Sequence, residues 1–177
     1  MQPDQITALR RRFHAHAEPG FLEYRTASVI LAELADRGVR ATTGADAIDV
    51  GRIALPPTQA EKDEWGRRAV EAGAAPDDVA YFQEHGTAII AELDGNRDGP
   101  TWGLRVDIDA LPVDEETDAG HAPVAGGFRS TTPFMHACGH DGHAAIGLAL
   151  ADRLRDGDFP GRVRIMFQPA EEGVRGA

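Results

Sequence analysis

Two segments near the N-terminus carry apolar residues at helical spacing. The first follows Pro3 and gives way to a loop at residues 14–20. The second begins near Thr26, which can cap a helix, and stops at Gly38. The apolar faces comprise Ile6, Leu9 and Phe13 in the first segment and Val29, Ile30, Leu34 and Ala35 in the second. Both segments are predicted to be scaffold helices.

Two apolar runs farther along the chain are typical of β-strands. They cover residues 86–93 and 101–108, and the glycine- and proline-containing residues between them favour a turn. We therefore expect the two strands to pair as a hairpin.

A helix and a third strand follow after a long loop at residues 109–133. The Ala- and Leu-rich residues 142–155 predict the helix, and residues 162–167 predict a buried strand. Strand, helix and strand in this order imply a right-handed crossover in a mixed α/β sheet. The fold class is therefore predicted as α/β.

The segment from Thr42 to His85 interrupts this pattern. It contains proline, aspartate and alanine, with one polar helix near residues 61–72. We interpret residues 42–85 as an insertion into a single domain that otherwise occupies residues 1–177.

Composition excludes several classes of partner. Eighteen basic and twenty-nine acidic residues give a net charge of −11, which disfavours nucleic acid, and the basic triplet at residues 10–12 is typical of a solvated helix face. The sequence lacks the run of about 18 to 20 apolar residues that a membrane span needs. We therefore expect a cytoplasmic protein that binds neither nucleic acid nor membrane.

The sole cysteine, Cys138, lies in the richest cluster of potential metal ligands. The motif HACGHDGH at residues 136–143 adds three of the seven histidines and one aspartate, and its small residues let the backbone wrap around an ion. Cys138 and His140 can face one metal pair, whereas His136 and His143 can ligate or act through hydrogen bonds. A redox or nucleophilic cysteine is the alternative, but no second cysteine could resolve it.

Carboxylates follow two of the predicted strands. Glu171 and Glu172 are adjacent in an extended segment, so that one can bind metal while the other faces a water molecule as general base. Asp107 and Asp109 end the second strand on one face and can orient a metal-binding histidine. Ligands bind at the carboxyl ends of strands in open α/β sheets, so the clusters are predicted to converge. The pair at His14 and His16 has no metal-binding neighbours in sequence, and His85 and His121 are typical loop residues.

Four ordered motifs together resemble those of a known family. They are RFHAHAEPGFLEYRT at residues 12–26, LRVDIDALP at 104–112, MHACGHDGH at 135–143 and FQPAEEG at 167–173. This arrangement is similar to the aminoacylase/carboxypeptidase-type dinuclear metallopeptidases, in the branch with hippurate hydrolase and the indole-acetyl-amino-acid amidohydrolases.

The resemblance implies a role for each matching residue. Cys138, His140 and Glu172 become metal ligands for two divalent ions, zinc or manganese, and Glu171 becomes the general base. Asp109 matches the aspartate that supports the site. Asp107 stands where the peptidase branches place a metal-binding histidine, so its role stays open. The implied fold is a mixed-sheet zinc-peptidase domain interrupted by a smaller dimerisation domain.

The insertion at residues 42–85 resembles the one in the aminobenzoyl-glutamate hydrolases. It implies a small N-acyl or aminobenzoyl amino acid as substrate and a homo- or hetero-oligomer as the full-length form. Family members continue for roughly 200 further residues that carry more histidine ligands and the dimerisation domain. We therefore expect this chain to be truncated before that domain and weakly active alone, and a non-enzymatic metal- or partner-binding module is the alternative.

Overall fold

The computed structural model describes residues 1–173 and contains six α-helices and four strands in that part of the chain. Two single-turn 3-10 helices, Gly44–Asp46 and Val50–Arg52, follow the first strand. The elements run α1 (Pro3–His14), α2 (Tyr24–Asp36), β1 (Arg40–Thr43), α3 (Gln59–Glu71), α4 (Pro76–His85), β2 (Ile89–Asp94), β3 (Arg97–Asp107), α5 (Ala122–Ala125), α6 (His140–Leu154) and β4 (Pro160–Gln168).

The four strands form one mixed sheet in the order β1-β2-β4-β3. The first three strands in this order are antiparallel neighbours, whereas β3 and β4 run parallel with helix α6 between them in sequence. The predicted mixed α/β class and the presence of the third strand are confirmed, but β4 is not buried throughout, because one of its faces is exposed.

The predicted hairpin between β2 and β3 is wrong, because β4 lies between these strands. Val163 of β4 is the partner of both Leu93 in β2 and Trp102 in β3. The turn residues bond to the segment around the start of β4, since the amide of Gly95 donates to the carbonyl of Gly161 at 2.8 Å. Local turn signals indicate a change of direction but not which strand fills the space beside it.

The core lies on the face of the sheet that α6 covers. Phe167 of β4 and Val106 of β3 pack against α6 at Gly147, where an added Cβ would approach the Phe167 ring to 2.9 Å. The opposite face carries charged side chains at alternate positions. Its ion pairs join β1, β2 and β4, through Arg40–Glu92, Arg164–Glu92 and Arg162–Asp94. Period-two alternation therefore separates a buried face from a charged one.

The segment interpreted as an insertion contributes to this core. Trp65 and Ala69 of α3 and Val79 and Phe82 of α4 belong to the buried apolar cluster. Helix α3 matches the predicted polar helix and begins with a reciprocal capping box at Thr58. Residues 42–85 are thus packed against the domain.

The predicted end of α2 is confirmed, whereas its predicted start is wrong. Gly38 has φ +67°, so the predicted stop is confirmed, because glycine adopts this conformation at low cost. Thr26 does not cap the helix, which begins at Tyr24, and its hydroxyl instead donates to Glu18. No helix among the described residues has the length and apolar character to cross a membrane.

Candidate metal centre

Three segments meet at one edge of the sheet. The parallel strands β3 and β4 end at paired residues, Asp107 and Gln168, so the residues that follow both strands lie side by side. Helix α6 starts at His140 beside them, after Gly139 with φ +82° turns the loop into the helix. The predicted convergence at the strand ends is therefore confirmed.

Two groups of potential ligands share His140. The ligand atoms of Cys138, His140 and Glu172 all lie within 4.8 Å of one another, and so do those of Asp107, His140 and His143. Donor atoms bound to one zinc ion lie about 2.0–2.3 Å from it, so these spacings need only small adjustments to close around an ion. The first group is the set that the sequence predicted, and the second brings in two residues whose roles stayed open.

His140 is held in one orientation by Asp109. The buried ring donates from Nδ1 to the backbone carbonyl of Asp109 at 3.0 Å, and an Asp109 carboxylate oxygen lies 3.3 Å from the same nitrogen. Burial alone lowers the pKa of His140, but these contacts with Asp109 outweigh burial and raise it. Donation from Nδ1 leaves Nε2 as the nitrogen available to a metal.

Cys138 is exposed and lies in a negative field. Its hydrogen bond with Glu172 and the charges of Glu172, Glu171 and Asp109 raise the pKa of the thiol. Carboxylates that oppose a thiolate favour a cation at the same place, because a positive charge stabilises all of these groups together.

The two adjacent glutamates occupy different positions. Glu171 is 34% exposed, and its carboxylate lies 3.7 Å from His140 Nε2 and 3.9 Å from an Arg105 guanidinium nitrogen. Glu172 is 15% exposed and lies 3.8 Å from His140 Nδ1. The more open carboxylate thus faces the side of the imidazole that is free for metal.

Asp109 connects the segments after β3 and β4. It is 1% exposed, and one carboxylate oxygen accepts a hydrogen bond from the backbone amide of Glu172 at 3.0 Å. Its other oxygen is buried without a hydrogen-bond partner among residues 1–173. Asp109 therefore orients both His140 and the segment that carries Glu172.

His136 is buried, and neither ring nitrogen has a hydrogen-bond partner in the described part of the chain. Burial lowers its pKa to about 4, so the ring is neutral near pH 7. The structure does not place His136 in either ligand group, although it lies next to His14 with ring centroids 6.4 Å apart.

A buried ionic network borders the loop, and no sequence pattern indicated it. His14 Nδ1 lies 2.7 Å from Asp141, and Nε2 lies 2.9 Å from Glu115. His121, which the sequence predicted to be an ordinary loop residue, also contacts Glu115 at 3.0 Å. Asp141 and Glu115 are more than 100 residues from His14 along the chain, so no local pattern could reveal these contacts. The network fixes Asp141 directly after His140.

The residues present fit a divalent metal. A thiol, imidazoles and carboxylates are the ligand types of zinc and related ions, and here they surround His140 with an excess of negative charge. One buried oxygen of Asp107 lies 3.1 Å from Arg105 Nε and one of Asp109 lies 3.3 Å from His140 Nδ1, so both carboxylates face positive or donor groups at the site.

Among known proteins, several relatives match 98% of this chain, including the following two. Indole-3-acetyl-aspartic acid hydrolase from Enterobacter agglomerans is 44% identical over 177 residues, and a p-aminobenzoyl-glutamate hydrolase subunit from Escherichia coli (strain K12) is 43% identical over 177 residues. In both cases the chain spans about 40% of the length of the relative.

Solved structures share the fold. An aminobenzoyl-glutamate utilization protein from Klebsiella pneumoniae superposes with a TM-score of 0.76 at 36% identity, covering 98% of this chain and 38% of that one. A dinuclear metal binding peptidase of the M20 family from Bacillus subtilis gives a TM-score of 0.66 at 30% identity, covering 98% and 37%. The model of peptidase family M20/M25/M40 matches residues 103–177. The resemblance seen in the four motifs is confirmed.

Proposed function

We propose that this chain, which resembles the M20 peptidases, carries part of the catalytic centre of a metal-dependent amidohydrolase. The reaction is hydrolysis of the amide bond in an N-acyl or aminobenzoyl amino acid. The convergence of Cys138, His140 and Glu172 within 4.8 Å, with Glu171 beside them, supports this proposal.

In this proposal Cys138, His140 and Glu172 hold metal, and Asp107 and His143 offer further donors around the shared His140. His140 can bind one ion through Nε2, so a second ion would rely on the donors that are not shared, and a similar solved structure is described as dinuclear. Zinc or manganese is the proposed identity, because thiolate and imidazole ligands suit zinc and carboxylate ligands suit manganese. When bound, the metal pair supplies Lewis-acid polarisation of the scissile carbonyl group and the attacking water.

Glu171 is the proposed general base. Its carboxylate is partly exposed, so that water and substrate can reach it, and it is fixed 3.7 Å from His140 Nε2. The carboxylate takes a proton from the attacking water and returns that proton to the nitrogen of the leaving amino acid. A guanidinium nitrogen of Arg105 lies 3.9 Å from one oxygen of the Glu171 carboxylate, and His140 faces the other oxygen.

Asp109 is proposed to support catalysis without contacting the substrate. It holds the imidazole of His140 from one side and the amide of Glu172 from the other. Fixing ligand orientation in this way raises metal affinity, and loss of such a contact typically costs about 10–100-fold.

The proposed substrate and assembly draw on the relatives. Their names point to an aromatic acyl group joined to aspartate or glutamate, and one of them is named as a subunit, which supports an oligomeric full-length form. Since the chain spans about 40% of the relatives' length, we expect weak or no turnover from this chain alone.

Metal binding tests the site directly. We expect Zn²⁺ titration to show binding by the wild-type chain that weakens at least tenfold in Cys138→Ala and His140→Ala. The matched control is His85→Ala, which alters an exposed histidine at the end of α4 and should bind as the wild type does. Equal affinity in the wild type and Cys138→Ala would remove Cys138 from the ligand set.

Hydrolysis tests the role of Glu171. With added Zn²⁺ or Mn²⁺, any cleavage of p-aminobenzoyl-glutamate or indole-3-acetyl-aspartate should disappear in Glu171→Gln, while Zn²⁺ affinity changes little. Cleavage that persists in this variant would contradict the assignment of the base. Metal binding without cleavage by a full-length form would favour the non-enzymatic alternative.

A further inference from the structure

Glu23 is a fully buried carboxyl group at the start of α2, far in sequence from the candidate ligands. It is 0% exposed. One oxygen accepts a hydrogen bond from the backbone amide of Ala170 at 2.9 Å, and the other accepts from the Thr87 hydroxyl at 2.6 Å. The side chain therefore joins α2, the start of β2 and the turn that follows β4.

Ala170 is the residue at which the chain turns after β4. Its φ is +54°, a left-handed conformation that is unfavourable for a residue with a Cβ. The residue is also 0% exposed, so its amide has no access to water and depends on Glu23 for a partner. The next two residues are Glu171 and Glu172, so the direction of this turn sets where both carboxylates point.

A second carboxylate holds the same turn from the other side. Asp109 accepts from the amide of Glu172, two residues after the amide that Glu23 accepts. The turn is thus fixed at Ala170 by Glu23 and at Glu172 by Asp109. Asp109 also contacts His140, whereas Glu23 belongs to neither ligand group and acts only through the backbone.

Glu23 is neutral near pH 7, so its contacts with the turn do not depend on a negative charge. Burial, reinforced by the nearby charge of Asp109, raises the pKa of Glu23 to about 8. A neutral carboxyl group at pH 7 has the shape of a glutamine amide. The amide oxygen can accept from Ala170, and the NH₂ can donate to Thr87 once the hydroxyl, which donates to Glu23, rotates to accept. Glutamine should therefore replace Glu23 with little change in the turn.

We infer that Glu23 is a positioning residue that sets the left-handed turn at Ala170 and thereby places Glu171 and Glu172 at the metal centre. The expected effect of Glu23 on metal binding rests on the proposed function. The contact between Glu23 and the turn can be tested without metal.

Zn²⁺ affinity of this chain, measured by calorimetric titration, is the first readout. We expect Glu23→Ala to weaken Zn²⁺ binding about tenfold, in line with other contacts that orient metal ligands, and Glu23→Gln to stay within about threefold of wild type. If Glu23→Ala does not fold, Glu23→Asp replaces it, because the shorter side chain cannot reach Ala170 and Thr87 together. Wild-type affinity in a folded Glu23→Ala or Glu23→Asp variant would overturn the inference.

Glu18 supplies the matched control. It is 3% exposed and accepts from the amides of Arg25 and Thr26, but its side chain makes no hydrogen bond to the turn after β4 within residues 1–173. We expect Glu18→Gln to change Zn²⁺ affinity less than threefold even if it lowers the melting temperature. An equal loss of affinity in Glu18→Gln and Glu23→Ala would show general destabilisation and refute a specific role of Glu23.

Amide hydrogen exchange separates this inference from the proposed function. In metal-free protein, the amide of Ala170 should exchange at least tenfold faster in Glu23→Ala than in wild type and Glu23→Gln. Unchanged exchange would overturn the inference about the turn. Failure of the wild-type chain to bind Zn²⁺, with faster Ala170 exchange in Glu23→Ala, would instead refute the proposed metal centre and leave the positioning contact established.

Discussion

Removal of the His14 side chain should lower the free energy of unfolding, because His14 lies between two buried carboxylates. Its two ring nitrogens lie 2.7 Å from Asp141 and 2.9 Å from Glu115, and all three side chains are at most 2% exposed. A carboxylate only accepts hydrogen bonds, so both ring nitrogens donate and the imidazole carries a positive charge. His14→Ala would leave two buried carboxylates that have each lost a charged partner.

The expected cost follows from the contacts that remain. Removing one partner from a buried ion pair typically costs about 3–5 kcal/mol. Asp141 would keep Arg10 at 2.7 Å, and Glu115 would keep the amide of Ser130 at 2.6 Å. We therefore expect the lower end, about 3 kcal/mol of unfolding free energy.

The loss should depend on pH in a defined direction. Burial alone lowers the pKa of His14, but its hydrogen bonds to Asp141 and Glu115 outweigh burial and raise it. Stabilisation by the imidazolium is therefore complete below the ordinary histidine value of 6.5 and disappears as pH rises through the raised pKa. The pKa values of Glu115 and Asp141 are lowered despite burial, so their contribution is complete above 4.5 and is lost at lower pH. The difference between wild type and variant should be largest between pH 4.5 and 6.5.

Urea unfolding followed by circular dichroism at pH 6 and pH 9 would measure this difference. The control is Arg12→Ala, which removes an exposed ion pair with Glu33 and should cost less than about 1 kcal/mol. The reasoning fails if His14→Ala costs less than about 1 kcal/mol at pH 6, or if its cost is larger at pH 9 than at pH 6.

Two further predictions test the packing of residues 42–85 and the metal site. Phe82→Ala, at a ring that is 1% exposed, should reduce the unfolding free energy by about 3–5 kcal/mol, whereas Tyr81→Ala, at a ring that is 38% exposed, should cost clearly less in the same urea titration. Similar losses would mean that α4 does not pack on the core. Alkylation of the exposed Cys138 by iodoacetamide should slow at least tenfold in saturating Zn²⁺ and recover with a chelator, as followed by mass spectrometry. An unchanged rate would argue against a metal–thiolate bond.

The elements with local signals could be predicted from the sequence. Helical spacing and the glycine at position 38 located α1 and α2, and the apolar residues after the turn at 157–161 located β4. The convergence of Cys138, His140 and Glu172 was also predictable, because each lies next to the end of a strand or the start of a helix and parallel strands end at a common edge.

Features that depend on distant residues were not predictable in this way. Strand β4 lies between β2 and β3 in the sheet although it comes much later in the chain, so residues near β2 and β3 could not reveal it. The turn at Gly95 indicated only that the chain changes direction. The contacts His14–Asp141 and Glu23–Ala170 span 127 and 147 residues, and no periodicity or motif connects residues so far apart. Thr26 was wrongly predicted as a cap because its hydroxyl donates to the buried carboxylate of Glu18. The sequence around Thr26 does not show that this carboxylate is buried beside it.

These long-range contacts show what the N-terminal helices contribute to the metal centre. Every candidate ligand lies within residues 103–177, the part matched by the family model. Yet the first turn of α6 is anchored through Asp141 to His14 at the end of α1, and the turn after β4 is anchored through Ala170 to Glu23 at the start of α2. Two of the three segments that carry candidate ligands are therefore each held by a different N-terminal helix that supplies no ligand itself. The candidate ligands therefore all come from the second half of the chain, whereas the contacts that place them come from both halves: Asp109 from the second, and His14 and Glu23 from the first.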